Sequence, residues 1–434
     1  MGIYLNPGND LFAQALSSEI YVDKSMLIRL TNERLNSNDR HICISRPRRF
    51  GKSMAANMLV AYYSRNCDSK ELFSSLAIAD TLDFEDHLNK YNVIHLDMTR
   101  FASKAPDVKG MIDRLELTLK QELSELCADI SYPDFYSSDE ILTLIYNKYR
   151  IPFVFIIDEW DCVFRIHKND IEGQTAYLDY LKILLKDRPY VALDYATGIL
   201  PVKKYGQHSA LNMYCEYSII DAEPFAEYMG FTESEVQGLC RRFDMPFDEM
   251  KGWYNGYHVG DTSIYNPQSV VNACLRKRFS NYWTKTETFE ALKIYIQLDM
   301  DGLRNDIIRM IAGEQVSVNT NKFQNDMVTM NSADDVITLL IHLGYLTYDY
   351  EKNVAWIPDK EVRQEFINCI EDGGWEEVMN SLRRSDELLK ATLSGDSDTV
   401  AKILEEVHQQ NTSIISYNNE LSPVSYTHLT LPTI

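Results

Sequence analysis

A short polar segment at residues 46–53 has the residue types of a phosphate-binding loop. Its sequence is RPRRFGKS, and it lies between a β-rich apolar run, HICIS, and a helix-compatible run, AANMLVAYYSR. A turn between a strand and a helix aims backbone N–H groups and the helix N-terminus at phosphate oxygens. The end of the segment fits this chemistry: Gly51 permits close backbone approach, Lys52 reaches the β- and γ-phosphates, and Ser53 ligates Mg²⁺.

The first half of the segment departs from the usual GxxxxGK[ST] pattern of such loops. That pattern has a glycine where this chain has Arg46. The other predicted phosphate-binding positions between it and the glycine are Pro47, Arg48, Arg49 and Phe50. Taken alone, the segment is equally compatible with a basic surface loop. A second motif is therefore needed to distinguish a phosphate-binding loop from a surface loop.

A second apolar run, FVFII at 153–157, ends in the acidic residues Asp158 and Glu159. A buried parallel strand that delivers two carboxylates at its C-terminal end suits a nucleotide site, with Asp158 holding Mg²⁺ and Glu159 polarising the attacking water. Apolar strands that end in solvated acids are common, but their combination with a strand, a GKS loop and a helix is not. The two motifs together predict binding of ATP with Mg²⁺ and hydrolysis of the γ-phosphate.

Three further segments are weaker candidates. Thr197, with Gly198, closes the strand-like run YVALDYA, and its hydroxyl is predicted to lie beside the γ-phosphate; an ordinary strand-to-loop turn is the alternative. Residues 21–25, YVDKS, either pack near the nucleotide or form a structural N-terminal segment. Residues 252–257, GWYNGY, have the aromatic character of a base-stacking surface, although a packed turn is favoured.

The elements that position these residues alternate between strands and helices in the first half of the chain. Short apolar runs lie at 41–45, 93–96, 153–157 and 190–196, and amphipathic stretches such as 111–127 separate them. This alternation predicts an α/β fold, in which a P-loop NTPase parallel sheet is covered by helices. A helical region with a winged-helix-like unit is predicted to follow the sheet.

Changes in pattern suggest five segments along the chain. The predicted boundaries are a P-loop domain at 1–222, a helical region at 223–332, a winged-helix-like unit at 333–375, a helical linker at 376–422 and a tail at 423–434. The winged-helix prediction rests on the order helix, two short strands, helix after residue 332. The final PVSYTHLTLPTI resembles translated adapter sequence and is not expected to belong to the fold; a disordered tail is the alternative.

Composition restricts the classes of function. A formal net charge of -21 and a pI of about 4.9 oppose a surface that is coated with nucleic acid, although weak, local contact through the winged-helix-like unit remains compatible. The eight cysteines form no CxxC pair and are expected to be reduced thiols. A signal peptide and an apolar run of about 18 residues are both missing, which predicts a cytoplasmic protein without membrane contact.

With these residues in hand, the sequence resembles the bacterial AAA-ATPase-like family, whose members commonly carry a C-terminal PD-(D/E)XK nuclease-like domain. The resemblance extends to about residue 420. It is carried by YVDKS at 21–25, SRPRRFGKS at 45–53, FIIDEWD at 155–161, TGILPVKKYGQHSALN at 197–212, GWYNGY at 252–257, YNPQSVVN at 265–272 and IPDKEVRQEF at 357–366.

The resemblance implies an ATP-binding protein that hydrolyses ATP. The leading hypothesis for its function is that nucleotide state moves the helical and winged-helix parts. The resemblance also implies that the missing first glycine is a feature of the family. No Asp and Glu-x-Lys arrangement follows residues 412–422, so we expect no nuclease site in this chain. The alternative function is a nucleotide-dependent switch or nucleic-acid-binding module with negligible turnover.

Overall fold

The computed structural model describes residues 2–202, 211–260, 262–283, 295–296, 300, 302–324, 330–372, 384 and 387–411. The chain divides into two units, one of Met1–Tyr282 with Ser317–Lys360 and the other of Trp283–Val316 with Glu361–Ile434. Parts of the predicted linker and of the TGILPVKKYGQHSALN motif, and the whole predicted tail, lie outside the described residues. The five predicted segment boundaries therefore remain predictions.

A five-stranded parallel sheet forms the centre of the first unit, with the strand order β2-β3-β4-β1-β5. Its strands are β1 (His41–Ser45), β2 (Asn92–Asp97), β3 (Phe153–Asp158), β4 (Val191–Gly198) and β5 (Cys215–Tyr217). All residues of β1, β3 and β4 are buried, as expected for parallel strands that are covered on both faces. The structure confirms the predicted α/β class and the four predicted strands, and it adds β5.

The helices of this sheet domain lie before and between the first four strands in the chain. They are α1 (Asp10–Leu16), α2 (Leu27–Asn32), α3 (Lys52–Tyr63), α4 (Lys70–Phe73), α5 (Phe84–His87), α6 (Met98–Ala102), α7 (Val108–Leu126), α8 (Ser138–Tyr149), α9 (Cys162–Ile166) and α10 (Ile171–Leu185). One core cluster joins α1, α2 and α3 to Val154 and Ile156 of β3. Phe155 and Ile157, which alternate with them, are buried too, so both faces of the sheet are covered.

A second, antiparallel sheet follows and was missed by the sequence analysis. Its strand order is β6-β8-β7, with β6 (Phe231–Thr232), β7 (Asn255–Val259) and β8 (Thr262–Tyr265). The helices α11 (Glu233–Arg242), α12 (Phe247–Tyr254) and α13 (Pro267–Arg276) pack with it around a core that includes Tyr254, Tyr265 and Val270. The strands have two to five residues, too few for a period-two pattern to be recognised.

The remaining elements include the predicted helix, hairpin and helix. They are α14 (Leu303–Ile311), β9 (Val316–Ser317), α15 (Ala333–Leu343), β10 (Thr347–Asp349), β11 (Val354–Trp356), α16 (Lys360–Asp372) and α17 (Ser397–Asn411). Ser332 caps α15 at its start, and Gly344 ends it with a left-handed φ of 85°. The element order after residue 332 is therefore confirmed, while its assignment as a winged helix stays a prediction.

The GWYNGY motif spans the last three residues of α12 and the first three of β7, and it is packed. Tyr254 and Tyr257 are buried, and the Tyr257 hydroxyl donates a hydrogen bond of 2.8 Å to the carbonyl of Gly344. Gly256 has a φ of +151°, and a Cβ added there would lie 1.8 Å from the carbonyl oxygen of Pro358. The motif is thus explained by close backbone approach.

We predict that Gly256→Ala destabilises the first unit, because the methyl group has to displace backbone at Pro358. The expected loss is about 1–3 kcal/mol in the free energy of unfolding, as for other overpacked sites. Gly238→Ala is the matched control, since Gly238 lies within α11 and a Cβ there would meet no atom within 4 Å. Urea unfolding of both variants provides the measurement, and equal midpoints for Gly256→Ala and wild type would contradict the prediction.

Candidate nucleotide-binding site

The RPRRFGKS segment forms a tight loop between β1 and α3. It begins with a hydrogen bond of 3.0 Å from the Arg46 N–H to the carbonyl of Gly198 in the neighbouring strand β4. It ends at Gly51, whose left-handed φ of 91° precedes the first helical residue, Lys52. A Cβ at Gly51 would meet no atom within 4 Å, so the space in front of the helix N-terminus is open. A phosphate group fits such a cradle.

The side chain of Lys52 is buried and turned back onto its own loop. Its ammonium donates to the carbonyls of Arg46 at 2.9 Å and Pro47 at 3.0 Å, and it lies 3.9 Å from a carboxylate oxygen of Glu159. Burial lowers the pKa of Lys52, against the opposing effect of Glu159. A buried cation that is held mainly by neutral carbonyls is well placed to exchange them for phosphate oxygens.

The acidic residues Asp158 and Glu159 lie at the end of β3. This strand is one neighbour of β4 in the sheet, and β1, which leads to Lys52, is the other. Asp158 is buried, and its carboxylate accepts hydrogen bonds from the hydroxyl of Thr197 and, at 3.1 Å, from the N–H of Glu159. Thr197 ends the neighbouring strand and is fully buried. Its hydroxyl therefore orients Asp158, and its predicted contact with the γ-phosphate stays a prediction.

Glu159 has an unusual backbone conformation for a residue other than glycine, with a φ of 55°. Such conformations cost about 1–3 kcal/mol and persist where the surrounding structure holds them. The next residue, Trp160, is tied to β4 by a hydrogen bond of 3.0 Å from its N–H to the carbonyl of Thr197. Burial raises the pKa of Glu159, while the nearby cations Lys52 and Arg165 oppose the rise.

Two residues of the site, Asp161 and Arg165, were missed by the sequence analysis as functional positions. Asp161 is fully buried and accepts hydrogen bonds from the N–H groups of Ile199 at 3.1 Å and Leu200 at 2.8 Å. Arg165 donates through Nε to Asp161 at 3.2 Å and through Nη2 to Glu159. The spacing of Asp161 and Arg165, one helical turn, was the available sequence signal.

Arg46 does not direct its side chain at the open cradle. It is fully buried, and Nη1 donates to the carbonyls of Ser45 at 2.8 Å and Tyr217 at 2.9 Å. Burial lowers the pKa of this guanidinium to about 10. Only its backbone therefore remains a candidate for phosphate binding.

The other loop positions divide into cavity-lining and packing roles. Arg48 and Arg49 line the cavity in front of the loop, and Arg49 donates to the carbonyl of Tyr282 at 3.1 Å. Phe50 is buried and meets the ring of Tyr257 edge-on, with 5.1 Å between the ring centroids. Ser53 also lines the cavity, next to Lys52.

One cavity of about 750 Å³ connects the loop to the YVDKS segment. Ligand cavities of about 300–1,000 Å³ are usual for nucleotide-sized molecules. Its apolar part is lined by Ile20, Tyr21, Val22, Met54, Met58, Tyr228, Phe231, Val271 and Leu275. The YVDKS segment also has a structural role, since Asp23 accepts from the N–H of Ala77 at 2.8 Å and Lys24 pairs with Glu235 at 2.7 Å.

Comparison with known proteins finds a family match for the part of the chain that contains this site. Residues 12–207 match the AAA-ATPase_like family model, described as "Predicted AAA-ATPase". This part of the chain is similar to AAA-ATPase-like domains. The match includes the loop, β3 with its acidic end, and Thr197, but it ends before the antiparallel sheet.

A curated protein is similar in sequence to part of this chain. An "Uncharacterized protein in vnfD 5'region" of Azotobacter chroococcum mcd 1 is 25% identical over 256 residues, which are 57% of this chain and 48% of that protein. The chain thus spans about half the length of this curated relative.

Similar solved structures include the Walker-type ATPase PABY2304 of Pyrococcus abyssi, with 14% identity, a TM-score of 0.41 and coverage of 79% of this chain and 94% of that one. The Aeropyrum pernix ORC2 protein has 12% identity and a TM-score of 0.35, with coverage of 83% of this chain and 98% of that one.

Across the described parts of this chain, the helices are too short or too polar to cross a membrane.

We predict that Lys52→Ala abolishes nucleotide binding, because the buried ammonium belongs to the first residue of α3 and bonds to the carbonyl of Arg46 in the loop itself. Hydrogen bonds to charged groups contribute about 1.5–3 kcal/mol each, so losing two raises the Kd at least about 100-fold. A titration with a fluorescent ATP analogue measures the loss. Lys70→Ala serves as control, since Lys70 is exposed and pairs with Glu85 away from the cavity. Wild-type affinity in Lys52→Ala would refute the phosphate-loop assignment.

Proposed function

We propose that the AAA-ATPase-like domain binds ATP with Mg²⁺ and hydrolyses the γ-phosphate by in-line attack of water. The observation that carries this proposal is the convergence of the two motifs, with the Lys52 ammonium 3.9 Å from the carboxylate of Glu159 inside one cavity. A cation for the phosphates and a base for water are both required by phosphoryl transfer. The fold brings this cation and this base together, although Lys52 and Glu159 are distant in sequence.

The phosphates are proposed to bind at the start of α3. The open space at Gly51 admits the β-phosphate to the backbone N–H groups of the loop, where the helix dipole also favours negative charge. Lys52 then exchanges the carbonyls of Arg46 and Pro47 for phosphate oxygens. This exchange limits the reorganisation of the protein to one side chain.

Mg²⁺ is proposed to bind between Ser53 and Asp158. Carboxylate and hydroxyl oxygens are suitable ligands, and Mg²⁺ usually takes the rest of its octahedron from phosphates and water. Within the described ranges, no group of three or more His, Cys, Asp or Glu residues is arranged to hold a metal by itself. The site thus suits an ion that arrives with a nucleotide, and Thr197 fixes the orientation of Asp158.

The base and ribose are proposed to occupy the apolar part of the cavity. Tyr21 and Val22 lie on one side of it, and Val271 and Leu275 of α13 contribute to its lining. Apolar surface holds a flat base by burial, at roughly 25 cal/mol for each Å² removed from water. The YVDKS segment would then act both as a structural segment and as a wall of the nucleotide site.

The proposed output is movement of the helical and winged-helix-like parts with nucleotide state. Phe50 of the loop contacts Tyr257, and the Tyr257 hydroxyl bonds to Gly344 at the end of α15. A shift of the loop on nucleotide binding would therefore reach α15 through two contacts. Order and position of such segments are common outputs of nucleotide switches.

A switch with negligible turnover is the second candidate. The observation in its favour is the ion pair between Arg165 and Glu159, because a carboxylate held by a guanidinium is a poor base. Nucleic-acid contact also stays a prediction. Every residue of α15 from Asp335 to Leu343 is buried, so contact would have to involve other parts of the unit, such as the hairpin turn, where Tyr350 is 67% exposed.

We predict that Glu159→Gln retains ATP binding and slows hydrolysis at least about 100-fold, the usual contribution of a general base. The amide preserves the size of the side chain but does not accept a proton from water. Phosphate release at steady state and a nucleotide titration measure the two properties separately. Asp179→Asn is the control, because Asp179 is exposed on α10. Unchanged turnover in Glu159→Gln would assign the base elsewhere, and no turnover in wild type would favour the switch.

The pH dependence of hydrolysis provides a further prediction. Glu159 has to be ionised to accept a proton, and burial raises its pKa. Since kcat/KM reports groups of the free enzyme, it should fall as the pH decreases through a value above about 4.3, the ordinary pKa of glutamic acid. The profile is measured over the range in which circular dichroism shows the protein folded. An acid limb at the ordinary value would argue against Glu159 as the base.

A further inference from the structure

Arg165 is a cation of the site. The proposed mechanism does not give it a part in binding or hydrolysing ATP. Arg165 is the fourth residue of α9, the first helix after β3, and its side chain is largely buried, with 12% exposed. It nevertheless lines the same cavity as Gly51, Lys52 and Glu159. A charged side chain that is removed from water and directed into a ligand cavity requires an explanation.

One edge of the guanidinium is anchored. Nε donates to Asp161 at 3.2 Å, and Asp161 is itself fixed by the N–H groups of Ile199 and Leu200. Nη2 reaches Glu159 and also lies 3.4 Å from Asp161. Nη1 makes no hydrogen bond to any residue that the structure describes. The planar fork can therefore keep its bonds to Asp161 while its outer edge changes partner.

The carboxylate of Glu159 lies between two cations. One oxygen, Oε1, is 3.9 Å from the Lys52 ammonium, and the other, Oε2, accepts from Arg165. A γ-phosphate that binds Lys52 has to enter beside this carboxylate. Repulsion between like charges is strong where water is largely excluded, so a second cation is needed at that point. Arg165 already contacts the carboxylate that Lys52 approaches.

We propose that Arg165 is a catalytic arginine, supplied by the same chain, that binds the γ-phosphate of ATP. When the triphosphate enters, the outer edge of the guanidinium leaves Glu159 and donates to a γ-phosphate oxygen. The water oxygen then attacks the γ-phosphorus, the bond to the β–γ bridging oxygen breaks with its electron pair remaining on ADP, and the released Glu159 takes the proton from water. This inference rests on the proposed function, which it extends to a residue that distinguishes ATP from ADP.

The proposed change of partner, from Glu159 to the γ-phosphate, can be distinguished from a role in which Arg165 only restrains the base Glu159. A restraint holds Glu159 in all states, so that removing it leaves hydrolysis unchanged or faster. A γ-phosphate ligand stabilises charge in the transition state, and arginines in this position raise turnover by about 10³–10⁵-fold in related chemistry. ADP has no γ-phosphate, so its affinity should not depend on Arg165.

The test compares Arg165→Ala and Arg165→Lys with Arg188→Ala. Arg188 is a matched control because it forms an ion pair of 2.8 Å with Asp139 and does not line the cavity. The dissociation constants of ADP and of a non-hydrolysable ATP analogue are measured by titration calorimetry, together with kcat for ATP. Thermal unfolding shows whether each variant is folded, and Arg165→Lys retains a positive charge beside Asp161 should Arg165→Ala fail to fold.

The expected result is a loss that depends on the γ-phosphate. Arg165→Ala should lower kcat at least about 100-fold and raise the Kd of the ATP analogue about 10-fold or more, as for one lost charged hydrogen bond. The Kd of ADP should change less than about twofold, since ADP lacks the group that Arg165 binds. Arg165→Lys should lose less of kcat than Arg165→Ala, and Arg188→Ala should match wild type.

Other outcomes would overturn the assignment. Faster turnover in Arg165→Ala would show that the arginine only restrains Glu159. Equal weakening of ADP and analogue binding would show a structural role. A wild-type protein that binds neither nucleotide would overturn the proposed function itself, whereas a wild type that hydrolyses ATP at the same rate as Arg165→Lys and Arg165→Ala would overturn this inference alone.

Discussion

The burial of one ammonium group, that of Lys52, is the constraint on which the site depends. Charge is costly to remove from water, and here it is compensated by the carbonyls of Arg46 and Pro47 and by the Glu159 carboxylate at 3.9 Å. The carbonyls converge because the loop is tight, and the carboxylate is in reach because β4 alone separates β1 from β3 in the sheet. Strand order, loop shape and the acidic end of β3 thus all contribute to stabilising the buried ammonium of Lys52.

The sequence predicted those parts of the fold that repeat a pattern over several residues. Four of the five parallel strands contain short apolar runs, and α15 begins at a serine cap and ends at Gly344, so these elements could be located from residue types alone. The strand β5 and the antiparallel sheet were missed because strands of two to five residues are too short to show a period. Their hydrogen bonds come from tertiary pairing, which local sequence does not encode.

The candidate site was predictable in its position and less so in its contacts. Gly51, Lys52 and the acidic pair could be found from the order of residue types. The direction of the Arg46 side chain depends on tertiary structure, because the carbonyl of Tyr217 in β5 accepts its hydrogen bond. That direction also explains why a glycine is not needed at the first loop position: the side chain lies away from the open cradle. Arg165 required the fold, because its partner Glu159 is oriented by a backbone turn with positive φ.

The contacts from Phe50 to Tyr257 and from Tyr257 to Gly344 have a consequence for regulation. Free-energy coupling between two binding sites is reciprocal: each ligand changes the affinity of the other by the same factor. If nucleotide binding at the loop alters α15 through these contacts, any molecule that holds α15 alters the affinity of the loop for nucleotide equally. The C-terminal end of α15 would then be an input to the proposed ATPase, and a partner bound there would set the ATP concentration at which the nucleotide site is occupied.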